Sequence, residues 1–265
     1  MKMVERNGRF LGRTVIVTGG ASGIGRGIAT AFGRESANVV VADRDYEGGE
    51  ESTELVMEAG GNAEFIQTDV TNRDDLTNLV KSVERTYGKI DVLVNNAGMI
   101  LTAPVVEVSD DQWDLVLATN LTSVFILSRN VARHMIEHRN GGRIINISSI
   151  HAVLSEPNAG PYTASKGGIE SFSRTLATEL APHKITVNCI RPGAVRTALT
   201  APLYTPEIVA ALKLRIPLGE IAGPEEIAAG VLYFASDEAW YSTGTTLAID
   251  GGYIMDGSLP GLAYD

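Results

Sequence analysis

The feature that most constrains this fold is a cluster of glycines between a short apolar strand and a helical pattern. A β-branched apolar run, residues 14–18, is followed at once by Gly19, Gly23 and Gly25, and then by a helix. Gly19 permits a tight turn, whereas Gly23 and Gly25 let the backbone approach a pyrophosphate and let the helix pack on the strand. The spacing is G-x-x-x-G-x-G, and a purely structural turn is the alternative interpretation.

The same strand-then-helix order repeats along the whole chain. Apolar runs predict strands at residues 14–18, 39–43, 63–68, 90–94, 143–147, 185–190 and 245–249. Helical patterns end at residue 34 and span about 47–59, 74–87, 110–137, 161–180 and 224–236. This alternation predicts an α/β, single-domain Rossmann fold over residues 1–265, a doubly wound parallel sheet of about seven strands with helices on both faces. The insert at about 194–223 is predicted to be a lid on the ligand side.

Two carboxylates end the second and third predicted strands. Asp43 lies roughly 20 residues beyond the glycine turn, where a dinucleotide's ribose acceptor belongs. Its charge would accept hydrogen bonds from a ribose diol and repel a 2′-phosphate, which favours NAD over NADP. The neighbouring Arg44 leaves that preference open because it could pair with a phosphate, and a solvated aspartate is the other interpretation. Asp69 lies where an adenine edge would pass.

A tyrosine and a lysine four residues apart suggest acid/base chemistry. Tyr162 and Lys166 project from one face of a predicted helix, so the ammonium can lie beneath the phenol and favour its ionisation. A free phenol titrates near about 10, and a nearby cation brings its pKa toward neutrality. Ser149 supplies a hydroxyl that could orient an alcohol or carbonyl oxygen beside Tyr162. The pair alone would also suit an ordinary surface helix.

Three asparagines interrupt apolar sequence near this region. Asn95 and Asn96 break the fourth predicted strand, where their side chains can bond to neighbouring backbone and hold the strand ends open for a ligand. A plain turn is the alternative. Asn120 lies within a long apolar helical stretch and needs hydrogen-bond partners, which are either internal groups or a water beside Lys166.

Charge and hydropathy restrict the partners. The formal net charge is -10, which disfavours nucleic acid and anionic membrane surfaces. No uninterrupted apolar run is long enough to cross a bilayer, and the polar segment Met1–Leu11 lacks the apolar centre of a signal peptide. We therefore expect a cytoplasmic protein with a small-molecule substrate.

The sequence offers little for metal or thiol chemistry. Cys189 is the single cysteine, which excludes an intrachain disulfide, and its apolar surroundings indicate a buried strand position. His134, His138 and His183 show no ligand-like spacing with carboxylates and are interpreted as residues of solvated helix ends or loops. We predict no metal catalysis.

Taken in order, these motifs resemble the short-chain dehydrogenase/reductase family from about Leu11 to Tyr253. The matching motifs are Thr18-Gly19-x-x-x-Gly23-Ile24-Gly25, Asn95-Asn96-Ala97-Gly98, Asn120, Ser149, Tyr162-x-x-x-Lys166 and Pro192-Gly193-Ala194-Val195-Arg196-Thr197. Gly20 stands where alanine is more usual, a mild departure.

The resemblance implies roles for these residues. Tyr162 is then the acid/base, Ser149 orients the reacting oxygen, Lys166 binds the nicotinamide ribose and lowers the tyrosine pKa, and Asn120 anchors a water in the proton path. Cofactor contacts are implied for Gly19, Ser22, Gly23, Ile24, Gly25, Asp43, Arg44, Asp69, Val70, Asn96, Ala97, Gly98, Tyr162, Lys166, Val195 and Thr197. A homotetramer is implied as well.

The substrate is indicated by one segment. Residues 148–151 are similar to the same segment in bacterial glucose dehydrogenases of the family, and His151, Glu156 and Asn158 would form a polar pocket for a polyol or aldose. Ordinary loop residues are the alternative. We therefore expect an NAD-dependent enzyme that interconverts a secondary alcohol, or a sugar or polyol hydroxyl, with its carbonyl. A carbonyl reductase for a 3-oxoacyl, steroid or other apolar ketone, and a non-catalytic dinucleotide sensor, remain as alternatives.

Overall fold

A computed structural model describes residues 8–256, which form one seven-stranded parallel sheet. The strand order is β3-β2-β1-β4-β5-β6-β7. The strands are β1 (Thr14–Thr18), β2 (Asn38–Asp43), β3 (Asn62–Gln67), β4 (Val92–Asn95), β5 (Gly142–Ile147), β6 (Ile185–Pro192) and β7 (Thr246–Ile249). The predicted doubly wound sheet is confirmed. Most of the polar lead before Leu11 and of the tail after Tyr253 lies outside the described residues.

Helices cover both faces of the sheet. They are α1 (Gly23–Arg34), α2 (Tyr46–Glu58), α3 (Arg73–Tyr87), α4 (Asp110–Leu117), α5 (Ser123–His138), α6 (Gly160–Leu180), α7 (Pro206–Arg215) and α8 (Pro224–Ala235). Side chains alternate along each strand, so Val15 and Val17 pack in the core under α1 and α8, whereas Ile16 packs in the core under α3, α5 and α6. Burial on both faces explains why inner strands such as β1 and β2 are almost continuously apolar.

The predicted helix over residues 110–137 is interrupted. A π-helical turn, Ala118–Thr122, separates α4 from α5 and has the buried Asn120 at its centre. Asn120 Nδ2 donates to the Met99 carbonyl at 2.9 Å and to Ser165 Oγ at 3.1 Å, and its Oδ1 accepts from the Met99 N–H at 2.8 Å. These bonds to other segments hold the amide in place at the widened turn, a feature often found at functional sites.

The segment Asp110–His138 is long and apolar enough, by length and composition alone, to cross a bilayer. About half of its most apolar stretch is buried inside the domain, where α5 packs against α3, α6 and the sheet. It therefore serves as a core helix of this fold.

A buried polar layer ties the central strands to the helices. Asn95 Nδ2 donates to Ser128 Oγ on α5 at 2.9 Å and to Asn146 Oδ1 on β5 at 2.8 Å, and Asn146 in turn donates to Ser173 Oγ on α6 at 2.8 Å. The interpretation of Asn95 was therefore wrong in detail. It is the last residue of β4 and bonds to side chains, not to neighbouring backbone.

Candidate active site

The glycine turn lies at the carboxyl edge of the sheet, where the strand order reverses between β1 and β4. Gly19 and Gly23 have φ angles of 65° and 53°, a region that side chains disfavour. A Cβ on Gly25 would lie 2.0 Å from the Gly19 carbonyl oxygen, so only glycine permits this contact. The positive φ angle of Gly19 confirms the predicted tight turn, whereas the approach of a pyrophosphate to Gly23 and Gly25 remains a prediction. The crevice is the one in which open α/β sheets bind ligands.

The amino end of α1 is open to an anion. Ser22 is the N-cap residue, but its side chain makes no capping bond, and the first turn contains no acidic residue. The free N–H groups and the helix dipole therefore face the crevice, while the partly buried Ile24 packs on the core. This cradle fits the pyrophosphate of a dinucleotide.

Asn96 holds the floor of the crevice. Its Nδ2 donates to the carbonyls of Thr18 at 3.0 Å and Gly19 at 3.1 Å. The Thr18 hydroxyl accepts from the backbone N–H groups of Asn96 and Ala97. The prediction that this asparagine bonds to backbone and holds the strand ends is confirmed for Asn96.

The carboxylate of Asp43 faces the glycine turn. Its Oδ2 accepts from the Ala21 N–H at 3.0 Å, and its Oδ1 accepts from the Asp45 N–H at 3.1 Å. Arg44 points outward and is exposed. The structure thus brings Asp43 to the dinucleotide crevice as predicted, with Arg44 beside it.

Asp69 and Val70 follow β3 at the carboxyl edge of the sheet, where the contact with an adenine remains a prediction. The Asp69 carboxylate accepts from the Thr71 hydroxyl at 2.7 Å and from the Thr71 N–H at 2.8 Å. These bonds hold the pKa of Asp69 below its ordinary value, with a smaller contribution from the charge of Arg44. Val70 is partly buried against the core.

One supporting residue was missed by the sequence analysis. Arg26 on α1 donates to the Ala21 carbonyl in the glycine turn, to Ser52 Oγ at 2.9 Å and to Glu51 Oε2 at 2.7 Å on α2. Arg26 therefore connects the glycine turn to α2. Its partners come from a helix 25 residues away, so no local spacing pattern indicates the contact.

The reacting groups converge at the ends of β5 and α6. Ser149 and Lys166 are buried, and Lys166 Nζ donates to the Ile147 carbonyl at 2.8 Å while lying 5.6 Å from the centroid of the Tyr162 ring. A Cβ on Gly98 would lie 3.6 Å from Lys166 Nζ, so the loop after β4 packs directly on the ammonium. The predicted constellation is brought together.

Burial dominates the electrostatics of this centre. It raises the pKa of Tyr162 above its ordinary value, although the Ser149 hydroxyl opposes this and the charge of Glu156 adds to it. Burial also lowers the pKa of Lys166 to about 8. Among the protein's own groups, burial is therefore the largest effect on the Tyr162 pKa, and the lowering implied for Lys166 together with a bound nicotinamide remains a prediction.

The Asn120 side chain is bonded within the protein, and its implied role as the anchor of a water remains a prediction. Both of its amide hydrogens are already donated, to the Met99 carbonyl and to Ser165 Oγ. Its side chain therefore fixes the loop after β4 over Lys166.

Val195 and Thr197 close the crevice from the opposite side. Val195 is buried and pairs with Ala222 in a parallel bridge. The Thr197 side chain lies within about 3.2 Å of the position that a Cβ on Gly23 would occupy. The loop after β6 therefore contacts the glycine turn. This proximity is needed if Val195, Thr197 and the glycine turn all contact one cofactor.

A cavity of about 310 Å³ lies next to the segment that follows Ser149. It is lined by His151, Leu154, Ser155, Glu156, Pro157, Arg215 and Tyr253. The His151 N–H donates to Ser149 Oγ at 3.1 Å, which links the cavity wall to the reacting centre. Asn158 is not among the lining residues. It adopts φ 66°, and its carbonyl accepts from the Ala103 N–H at 2.8 Å, so it shapes the loop.

Two further interpretations are settled by the packing. Cys189 is buried in β6, and burial raises its pKa to about 11, so it is a structural thiol as predicted.

The interpretation of His134 as a residue of a solvated helix end was wrong. His134 is buried, and the Glu84 carboxylate from α3 approaches both His134 and His138.

Comparisons with known proteins agree with this geometry. Residues 19–254 match the family model described as "Enoyl-(Acyl carrier protein) reductase". The chain is 40% identical over 246 residues to 3beta-hydroxysteroid dehydrogenase 1 of Eggerthella lenta, covering 92% of this chain and 94% of that one. It is 38% identical over 247 residues to a 3-oxoacyl-(acyl-carrier-protein) reductase of Thermotoga maritima, covering 93% and 100%.

A solved structure is similar over the same length. A Beutenbergia cavernae protein, proposed to be an NAD(P)-dependent gluconate 5-dehydrogenase and crystallised with NADP at low occupancy, superposes with a TM-score of 0.88. The identity is 38%, and the match covers 93% of this chain and 98% of that chain.

The raised pKa of Tyr162 predicts opposite pH behaviour in the two directions of an alcohol–carbonyl reaction. At neutral pH the phenol is protonated and can donate to a carbonyl oxygen, whereas removing an alcohol proton requires the phenolate. The specificity constant kcat/KM for oxidation should rise by about tenfold per pH unit from about pH 6 to about pH 9, because the phenolate fraction grows at that rate below the pKa, while that for reduction stays level or falls.

Steady-state rates across this range check the prediction, with His151→Gln as the control. Burial lowers the pKa of His151, so its titration lies below the rising limb. The limb should persist in that variant. Oxidation that does not depend on pH, or a limb that disappears with His151, would contradict the assignment to Tyr162.

Proposed function

Because the chain belongs to the short-chain dehydrogenase/reductase family and is therefore an oxidoreductase, we propose that it reversibly oxidises a secondary hydroxyl of a sugar or polyol, with NAD preferred. The observation that carries this proposal is the polar wall of the cavity beside Ser149. There the side chains of His151, Glu156 and Arg215 meet within one cavity.

These side chains supply both kinds of hydrogen-bonding group. His151 Nε2 lies 3.4 Å from Glu156 Oε2, and burial holds the pKa of His151 below its ordinary value, which keeps the ring neutral at physiological pH. The carboxylate accepts from hydroxyls, and the Arg215 guanidinium donates to them. Such a mixed set suits adjacent hydroxyls, each of which is both donor and acceptor.

An apolar surface faces the polar one. The Arg215 guanidinium carbon lies 4.9 Å from the centroid of the Tyr253 ring, so the ring holds the cation in place. Within residues 8–256 Arg215 makes no ion pair, which leaves its donors for a ligand. The Tyr253 ring also offers an apolar plane for the C–H face of a sugar.

The chemistry follows from the positions of three groups. Ser149 holds the substrate hydroxyl, and Tyr162 takes its proton during oxidation or returns it during reduction. When bound, the nicotinamide accepts or supplies the hydride. Lys166 favours the phenolate while it stays charged, and its bond to the Ile147 carbonyl fixes its position.

The lid assignment is supported by the ends of the insert. The Arg196 N–H donates to the Ala222 carbonyl at 2.8 Å, and Ala222 N–H donates to Ala194, so both ends are pinned together. Helix α7 has no buried residue and carries Arg215 at its end. We propose that α7 moves over the substrate while the two bonded ends of the insert stay fixed.

We also propose that the protein is cytoplasmic and forms a homotetramer.

The preference for NAD is supported by Asp43 at the glycine turn. Its fixed charge would repel a 2′-phosphate, although Arg44 beside it could offset part of that repulsion. The similar Beutenbergia cavernae structure contains NADP, which makes the preference a matter for measurement.

A second candidate is reduction of an apolar ketone. The 40% identity to a hydroxysteroid dehydrogenase favours it, and the cavity is also lined by the apolar residues Leu154 and Pro157.

An acyl carrier protein is a poorer partner, because it is acidic and this chain has a net charge of -10. The non-catalytic sensor has no support, because Asn120, Ser149, Tyr162 and Lys166 are all present.

A panel of alcohols tests the substrate. His151→Ala should raise KM for a polyol or aldose at least about tenfold, because a buried hydrogen-bonding partner is lost, but only slightly for cyclohexanol. Initial rates of NADH formation measure both. Equal losses on the two substrates, or no activity on any polyhydroxy compound, would remove the sugar and favour the apolar ketone.

A charge-only substitution tests the cofactor. Asp43→Asn keeps an acceptor for the Ala21 N–H but loses the charge, so the ratio of kcat/KM for NADP to that for NAD should rise roughly tenfold or more. Asp45→Asn, a nearby exposed carboxylate, is the matched control and should leave the ratio unchanged. A wild type that prefers NADP would show that Asp43 was misinterpreted.

A further inference from the structure

Three side chains with metal-ligand chemistry meet outside the active site, near the carboxyl ends of α3 and α5. They are Glu84 on α3 and His134 and His138 on α5. The two histidines are four residues apart and therefore project from one face of the helix. One donor atom from each of the three residues lies within 4.8 Å of the others.

The distances fit a shared ion better than direct bonding. Glu84 Oε1 lies 3.7 Å from His134 Nδ1 and 3.9 Å from His138 Nε2, both too long for hydrogen bonds. Donors bound tetrahedrally to zinc at about 2.1 Å lie roughly 3.4 Å apart. Contractions of a few tenths of an ångström would therefore bring the two Glu84 contacts to ligand spacing.

The tautomer of His138 favours coordination. Its Nδ1 lies 2.9 Å from the His134 carbonyl, so this nitrogen carries the proton and donates. The lone pair of Nε2 is then directed toward Glu84. A ligating imidazole whose other nitrogen donates to a backbone carbonyl is the usual arrangement at zinc sites, because the bond fixes the ring.

His134 is held beside it in neutral form. The residue is 5% exposed, its Nε2 has no hydrogen-bond partner among residues 8–256, and its ring centroid lies 4.1 Å from that of His138. Burial and the charge of His138 lower the pKa of His134. The lowered pKa keeps the His134 ring neutral at physiological pH, so it offers a lone pair in place of a charge.

The surroundings are negative. Glu84, Glu137 and Asp91 all act on His134 through their charges. Within the described residues the only ion-pair partners of Glu84 are these two histidines. The Glu84 side chain is 46% exposed, which gives an ion a path from solvent. A divalent cation would supply positive charge among these acidic groups.

We propose that Glu84, His134 and His138 bind one divalent transition-metal ion of the zinc class, with water completing the coordination. Two imidazoles and one carboxylate are a recognised zinc set. The site lies toward the amino ends of the strands, away from Tyr162, because α3 and α5 run antiparallel to the sheet. The ion would therefore join α3 to α5 and stabilise the fold without taking part in catalysis.

Zinc titration of the chelator-stripped full chain by calorimetry tests this proposal. The variants are Glu84→Gln and His138→Gln, and the controls are His183→Gln, a histidine in the turn after α6, and His151→Gln, which breaks the other histidine–carboxylate pair. The wild type and both controls should bind one equivalent. Affinity should fall at least about tenfold in both site variants.

Two further readouts keep the result independent of folding defects. Zinc should raise the thermal midpoint of the wild type but not of Glu84→Gln, whose exposed side chain can be changed without disturbing the core. Cobalt should give visible d–d absorption only where the site is intact. Absence of micromolar zinc binding by the wild type, or equal binding by Glu84→Gln and the wild type, would overturn the proposal.

Discussion

The active site depends on the contacts of the buried Lys166 ammonium with the Ile147 carbonyl and the Tyr162 ring. Burial lowers its pKa from 10.5 to about 8, which corresponds to roughly 3 kcal/mol of lost solvation for the charged form. The bond from Nζ to the Ile147 carbonyl at 2.8 Å offsets part of that cost and fixes the side chain. A desolvated core lysine lowers the stability of the fold, and its ammonium lies 5.6 Å from the centroid of the Tyr162 ring, where it can act on the phenol.

The parallel sheet gathers the other groups around that ammonium. Since all strands run in one direction, their carboxyl ends share one edge, and β1 and β4 open a crevice there. The glycines at 19, 23 and 25 have no side chains to fill the crevice. The Asn96 side chain donates to the backbone at the end of β1, and Asn120 holds the loop after β4 over Lys166. The groups proposed to bind the cofactor and to transfer the proton are thus placed by rigid elements, whereas the proposed substrate wall is built from loops and α7.

Local patterns in the sequence predict most of this arrangement. The glycine turn, the four-residue spacing of Tyr162 and Lys166, and Asp43 at a strand end each follow from the geometry of one strand or one helix. These predictions survive because the same local geometry appears in the fold.

The features that the sequence missed depend on distant contacts. The π-helical turn exists where Asn120 bonds to Met99 and Ser165, and Glu84 meets His134 only because α3 packs on α5. The raised pKa of Tyr162 was missed for a related reason. It sums the burial contributed by several segments, and no spacing between two residues records that sum.

The central claim is that the Tyr162 hydroxyl transfers the proton while the rest of the site binds and orients. The most direct measurement compares wild type with Tyr162→Phe for NADH binding by calorimetry and for single-turnover oxidation of the best alcohol found. Phenylalanine keeps the ring over Lys166, so binding should stay within about threefold while the rate falls at least about 100-fold. A wild-type rate in the variant, with binding unchanged, would contradict the account.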